Sequence, residues 1–115
     1  NKLINVLRNN YKKNNSTKII SKNLYINLLN VEDIVNAVDI IIKKNIKPDQ
    51  YVLKNKEDFK IGNIINSFNK FFTKKIKITW MSNKTIKHKI YPYQKLNNWT
   101  PTKSKLKDIL NIINK

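Results

Sequence analysis

The chain has no cysteine and only one glycine (Gly62), one arginine (Arg8) and one histidine (His88) in 115 residues. Without thiols there is neither a disulfide framework nor a thiolate metal site, and a single imidazole cannot assemble a zinc centre. One glycine also rules out a glycine-rich phosphate loop, in which repeated glycines let the backbone approach a pyrophosphate at a helix N-terminus. No uninterrupted apolar run nears the ~18 residues that a membrane helix needs. The first residues lack the cationic-then-apolar order of a secretion signal. A single cytoplasmic domain with a modest core, and no membrane partner, is therefore expected.

Acidic residues are scarce as well: 7 against 24 basic ones, giving a net charge of +17. Such a balance ordinarily suggests nucleic acid or an anionic surface as partner. Composition offers a plainer source. The chain has 23 Lys, 20 Asn and 19 Ile, so three residue types with A/T-rich codons fill 62 of its 115 positions. The lysines are dispersed. Their longest cluster, Lys74-Lys75-Ile76-Lys77, alternates into an apolar run rather than forming a basic face interleaved with aromatics. Nucleic-acid binding is thus disfavoured, and a small basic nucleic-acid-binding protein is kept as the alternative. The Asn-x-Ser/Thr matches at Asn14, Asn15, Asn83 and Asn98 follow from the abundance of Asn.

The apolar residues have regular spacings. Leu3, Ile4 and Leu7 predict an amphipathic helix over 1–13, followed by a polar loop at 14–17. Residues 18–29 are rich in β-branched, aromatic and aliphatic side chains and read as two strands broken near Ser21-Lys22-Asn23. Asn30 is a helix N-cap, followed by Glu32 and Asp33 at the positive end of the dipole and closed by Lys43-Lys44 at the negative end. Val31, Ile34, Val35, Val38, Ile41 and Ile42 form one broad apolar face of that helix. After the Pro48-Asp49 turn, Tyr51-Val52-Leu53 reads as a buried strand. A helix over 60–72 follows, with Asp58 as its cap and Ile61, Ile64, Ile65, Phe68 and Phe72 inward. Residues 75–80 alternate as a strand with one buried face. A closing helix after Ser104 buries Leu106, Ile109, Leu110 and Ile113. The alternation of helices and strands is an α/β pattern.

Three segments, in order, resemble the extended short-chain dehydrogenases of the NAD-dependent epimerase/dehydratase family. Tyr25 to Val38, with its Val31-Glu32-Asp33, is similar to the family's strand–Val-Asp-Asp–helix stretch. Tyr51 to Lys56 falls on its aromatic-Asn-aliphatic-Gly-Ser-Gly turn. Leu96-Asn97-Asn98-Trp99-Thr100-Pro101, with Ser104 and the last helix, resembles its Leu-Gly-Trp-x-Pro ending. The resemblance covers about 18–114. It implies an α/β fold comprising the C-terminal, substrate-binding part of such an enzyme, with the last helix and strand of the Rossmann sheet but without the dinucleotide-binding half.

The implied function is that of a fragment of a nucleotide-sugar epimerase, dehydratase or reductase of surface-polysaccharide synthesis, inactive alone; a functionless gene remnant is the other alternative. NAD or NADP would be the cofactor of the intact enzyme, with none bound by this chain alone. The implied partners are a nucleotide sugar, the missing N-terminal Rossmann half and, compatibly, a second copy in a homodimer.

Departures are specific. Ile26-Asn27 replaces the family's Arg-Asp, and Lys54 and Lys56 replace its turn glycines. Lys84 stands for a phosphate-binding Arg, supplying a point charge without the bidentate fork. Tyr91-Pro92-Tyr93-Gln94-Lys95 matches the catalytic Tyr-x-x-x-Lys in letters only, because Pro92 denies it the helix that puts residues four apart on one face. No catalytic or cofactor-binding residue is therefore assigned. The substrate-side candidates are Lys84 and His88 in a polar loop, and Asn30 at its cap. Trp80 and Trp99 read first as packing aromatics. With no partner layer for the face Val31 to Ile42, the isolated chain is expected to be marginally stable or to associate.

Overall fold

The computed structural model describes residues 2–87 and 94–115. Along these the elements are α1 (Lys2–Lys12), β1 (Thr17–Ile19), β2 (Tyr25–Ile26), α2 (Val31–Lys43), β3 (Tyr51–Val52), β4 (Phe59–Lys60), α3 (Ile61–Phe71), β5 (Ile78–Trp80), β6 (Gln94–Lys95) and α4 (Leu106–Asn114). The architecture is α/β, as the spacing predicted.

The strands do not form one sheet. They make three separate pairs: β1 parallel to β5, β2 antiparallel to β4, and β3 parallel to β6. Two of the partners, β4 and β6, lie where no strand was expected, because two residues are too few to show a period of two. In the 75–80 stretch only β5 pairs. Ile76 before it is buried, and its N–H donates to Asn69 Oδ1 at 2.7 Å, which ends the ladder early. Tyr51 and Val52, expected to be buried, are half-exposed, since among the described residues no third strand pairs with β3 or β6. Asp58 does not cap α3. The N-cap is Lys60 without a side-chain bond, and Asp58 instead accepts from Asn27 Nδ2 at 2.9 Å.

The core lies where α1, α3 and α4 meet over β1 and β5. Leu7, Ile61, Ile64, Phe68 and Ile113 are fully enclosed, with Ile19, Ile76, Ile109 and Leu110 beside them. Each such side chain gains roughly 1.5–3 kcal/mol by leaving water. Tyr11 meets Phe68 edge-on at 5.0 Å between ring centroids, and Phe72 lies tilted against Phe68 at 4.5 Å. The Tyr11 hydroxyl donates to Asn114 Oδ1 at 3.2 Å, tying α1 to the end of α4. Gly62, in the first turn of α3, admits the backbone at Lys22. Its N–H donates to the Lys22 carbonyl at 3.0 Å, and a Cβ would stand 2.7 Å from that oxygen.

The second helix is different. α2 buries only the narrow stripe of Asp33 and Ala37, one turn apart, while Val31, Val35 and Ile42 are each more than 60% exposed. The broad apolar face read from the sequence is therefore open. The radius of gyration of 16.0 Å, against about 13 Å for a compact chain of this length, reflects a molecule with much uncovered surface.

Candidate functional site

The densest polar cluster sits at the start of α2. Asn30 takes extended backbone angles (φ −68°, ψ 141°) and its Oδ1 accepts from the Glu32 N–H at 3.0 Å, which is the expected N-cap. Its other amide atom reaches across the molecule: Nδ2 donates to the Lys103 carbonyl at 3.1 Å. Asn30 thus serves as cap and clamp together.

Three residues later comes Asp33, completely covered. Its Oδ1 accepts from the backbone N–H groups of Thr102 and Lys103 at 2.9 and 3.1 Å, and its Oδ2 from Lys103 N–H at 2.9 Å and Ser104 Oγ at 2.5 Å. The Ser104 hydroxyl in turn accepts from the Asn30 N–H at 2.8 Å. Trp99 Nε1 donates to the Asp33 carbonyl at 3.0 Å. Burial acts to raise the Asp33 pKa, but the hydrogen bonds from Ser104, Thr102 and Lys103 outweigh it and hold the carboxyl below its ordinary value. The carboxylate is therefore anionic, with its charge met by N–H dipoles and the positive end of α2.

A third segment joins this latch. Asn55, nearly enclosed between β3 and β4, donates from Nδ2 to the carbonyls of Leu28 and Ser104 at 3.1 and 2.7 Å. Its backbone N–H donates to Asn27 Oδ1 at 2.7 Å, and Asn27 Nδ2 returns a bond to the Asn55 carbonyl. The start of α2, the loop after β3 and the 99–104 loop are thus one hydrogen-bonded unit. Asn98, at the entrance of the last loop, has φ 63°, a left-handed conformation that Asn tolerates better than other side-chain-bearing residues.

Beside the latch lies an open cleft of about 340 Å³. Val52 and Leu96 contribute its apolar surface, Trp99 with Pro101 a wall, and Lys54, Lys56 and Lys95 its charge. A second cleft, about 540 Å³, runs along Phe59, Asn63, Pro101 and Leu106 and mixes acids with lysines.

Of the residues singled out in the sequence, Asn30 lies in the latch and Lys84 lies elsewhere. Lys84 is exposed, on a stretch that runs beside β2; its carbonyl accepts from Ser21 Oγ at 2.5 Å. His88 falls outside the described residues, as do Tyr91, Pro92 and Tyr93 of the letter match. Lys95 of that match lies in β6 and not on a helix. Lys54 and Lys56, standing where the resembled turn has glycines, keep negative φ, so this loop has no need of glycine.

Two site features were missed: the Asp33–Ser104 pair and the lysine triad of the cleft. Asp33 carried a signal, since an acid at the third helical position beside an Asn cap can receive a loop, but the helix dipole accounted for it equally well. The triad carried none in a chain with 23 Lys.

Chemically the latch holds and orients. Among the described residues no group of three His, Cys, Asp or Glu is placed to hold a metal ion, and no helix is long and apolar enough to cross a membrane. The sole glycine lies in the first turn of α3, against the Lys22 backbone. No protein-family model, curated protein or solved structure matches this chain.

Proposed function

We propose that the chain is the substrate-side portion of a nucleotide-sugar epimerase, dehydratase or reductase, and that it has no activity by itself. The observation that carries this reading is the Asp33 latch. The Val31-Glu32-Asp33 segment and the Trp99-Thr100-Pro101 ending were picked out separately in the sequence, 66 residues apart from Asp33 to Trp99, and they bind each other through a buried carboxylate. The third resembling segment enters the same unit through Asn55. Chance motif matches have no reason to converge on one hydrogen-bonded knot.

Two further features agree with the reading. Asn98 is left-handed immediately before Trp99, where the resembled Leu-Gly-Trp ending has glycine. The bare face of α2 suits a helix that packs on a sheet contributed by another segment. NAD or NADP held by that other segment would supply the hydride exchange; this chain's own residues would shape and close the substrate side. With the Arg of the family pattern replaced by the exposed Lys84, any phosphate contact there is a single ammonium and not a fork.

The test has two parts. Purified chain mixed with uridine or guanosine diphosphate sugars and oxidised or reduced NAD or NADP should give no turnover above background, followed by chromatographic separation of the nucleotide sugars. The coding sequence immediately upstream should specify a glycine-rich fingerprint and a helical Tyr-x-x-x-Lys. Turnover by the chain alone, or an upstream frame with neither motif, overturns the proposal.

A further inference from the structure

We infer that the open face of α2 is the contact of a symmetric dimer, in which α2 of a second copy of this chain lies antiparallel across it. The first observation is where the lysines are absent. Residues 23–42 contain neither Lys nor Arg, in a chain with 24 basic residues, and the next longest such stretch, 61–69, is less than half as long. That gap takes in all of α2 before its final Lys43, and it holds three of the seven acids, Glu32, Asp33 and Asp39. Lysine-bearing surface repels another copy carrying the same charge of +17. A neutral or acidic partner would gain nothing from a face without lysine. A cationic partner would, and a second copy of this chain is one.

The second observation is the order of the exposed side chains. Val31, Val35, Val38 and Ile42 all face solvent, at spacings of four, three and four. This alternation sets one stripe of a helix against another helix. It also reads the same in both directions. A two-fold axis between Val35 and Val38 therefore exchanges Val31 with Ile42 and Val35 with Val38, as a contact made by the same patch on both copies requires. Ile34, Val35, Val38 and Ile42 border a shallow groove of about 320 Å³, into which the facing row can set. In the antiparallel sense the helix dipoles oppose, and Glu32 in the first turn of one copy comes beside the exposed Lys43 and Lys44 of the other. The parallel sense would set like charges together at both ends. A helix of 13 residues is about 20 Å long, too short to bury the roughly 800 Å² per partner of a standard interface, so the dimer is reversible. The inference does not rest on the nucleotide-sugar reading. A sheet brought to α2 by another segment and a second copy would compete for the same face.

The test uses the whole chain in sedimentation velocity over a series of concentrations. A monomer–dimer equilibrium is expected, shifting towards dimer as ionic strength rises, because salt screens the repulsion between two chains of charge +17. Val35→Lys should weaken the dimer by about tenfold or more, since the two-fold makes each substitution count twice. Phe71→Lys, the same gain of charge at an exposed apolar side chain on α3, should leave it within about twofold. The chain has no cysteine, so single thiols report the geometry cleanly. A mixture of Val31→Cys and Ile42→Cys chains should, on oxidation, give mainly the mixed disulfide. Circular dichroism of each variant establishes that the fold is retained. A monomer at every concentration, growth beyond the dimer, an equal effect of Phe71→Lys, or an excess of the two unmixed disulfides would each overturn the proposal. Turnover and the upstream reading frame decide the enzyme reading separately, so the two can fail independently.

Discussion

Replacing Asp33 with Asn is the sharpest probe of the latch, because it keeps the volume and removes the charge. The carboxylate accepts from Thr102, Lys103 and Ser104 through both oxygens. An amide retains one oxygen and turns an NH₂ towards donors. At least one charge-assisted bond is lost, worth about 1.5–3 kcal/mol, and an N–H is left facing an N–H at a desolvation cost of about 1–3 kcal/mol. Ser104 can recover part of this by turning its hydroxyl to accept. The expected loss is about 2–5 kcal/mol, a large share of the ~5–15 kcal/mol typical of a domain. Urea unfolding followed by tryptophan emission and far-ultraviolet circular dichroism measures it. Trp99 is hydrogen-bonded to the same residue, so its emission should change even before unfolding. The control is Asp39→Asn, which removes an exposed ion pair with Lys43 and should stay within about 0.5 kcal/mol. The pH dependence has a definite sign. Since the Asp33 pKa is lowered on folding, its contribution is fully present above the ordinary carboxylate range and fades as pH falls through the lower folded value. Asp33→Asn should therefore flatten the acid side of the stability profile below about pH 4. A loss under about 0.5 kcal/mol, with an unchanged acid limb, refutes the assignment of Asp33 as the latch.

Other outcomes follow from packing. Gly62→Ala, normally a gain of about 1 kcal/mol in a helix, should instead cost about 1–3 kcal/mol, because the new Cβ meets the Lys22 carbonyl at 2.7 Å; a rise in urea midpoint would show that the Lys22 loop yields. On the open face of α2, Val35→Glu with Val38→Lys should lower binding of an apolar dye and shift sedimentation towards monomer, with unfolding free energy changed by under about 0.5 kcal/mol. If wild-type chain is already a monomer with a sharp thermal transition and no dye binding, the expectation of marginal stability fails.

The helices were legible because several local signals coincide at each. At Asn30 the cap, the acids of the first turn and the terminal lysine all agree, and α2 begins at Val31 as they require. Of the two-residue strands, β2 and β3 fall in stretches read as strand, while β4 and β6 were not legible, since their pairing depends on partners up to 43 positions away, as for Tyr51 and Gln94. Asp33 was visible only as half of its role: a charge at a helix start explains itself locally, while its partners lie 69 to 71 residues on. Asn55 is one of 20 Asn and is distinguished only by being buried. The lysines of the cleft become a group only through strand register, which spacing along the chain does not encode. Of the substrate-side candidates, Asn30 turned out to clamp the latch, and Lys84 stands apart from it beside Ser21.

The bond from Tyr11 to Asn114 spans 103 residues, and the core beneath it combines Ile4 and Leu7 with Ile109, Leu110 and Ile113. During synthesis the first helix therefore emerges long before the last. At ~5–20 residues per second the interval is roughly 5–20 s. Throughout it the apolar stripe of α1 lacks the part of its cover that α4 supplies, and the closing step must gather distant segments against loop-closure entropy. Completion of this fold consequently waits on α4, whose Ile109, Leu110 and Ile113 close the core over Ile4 and Leu7.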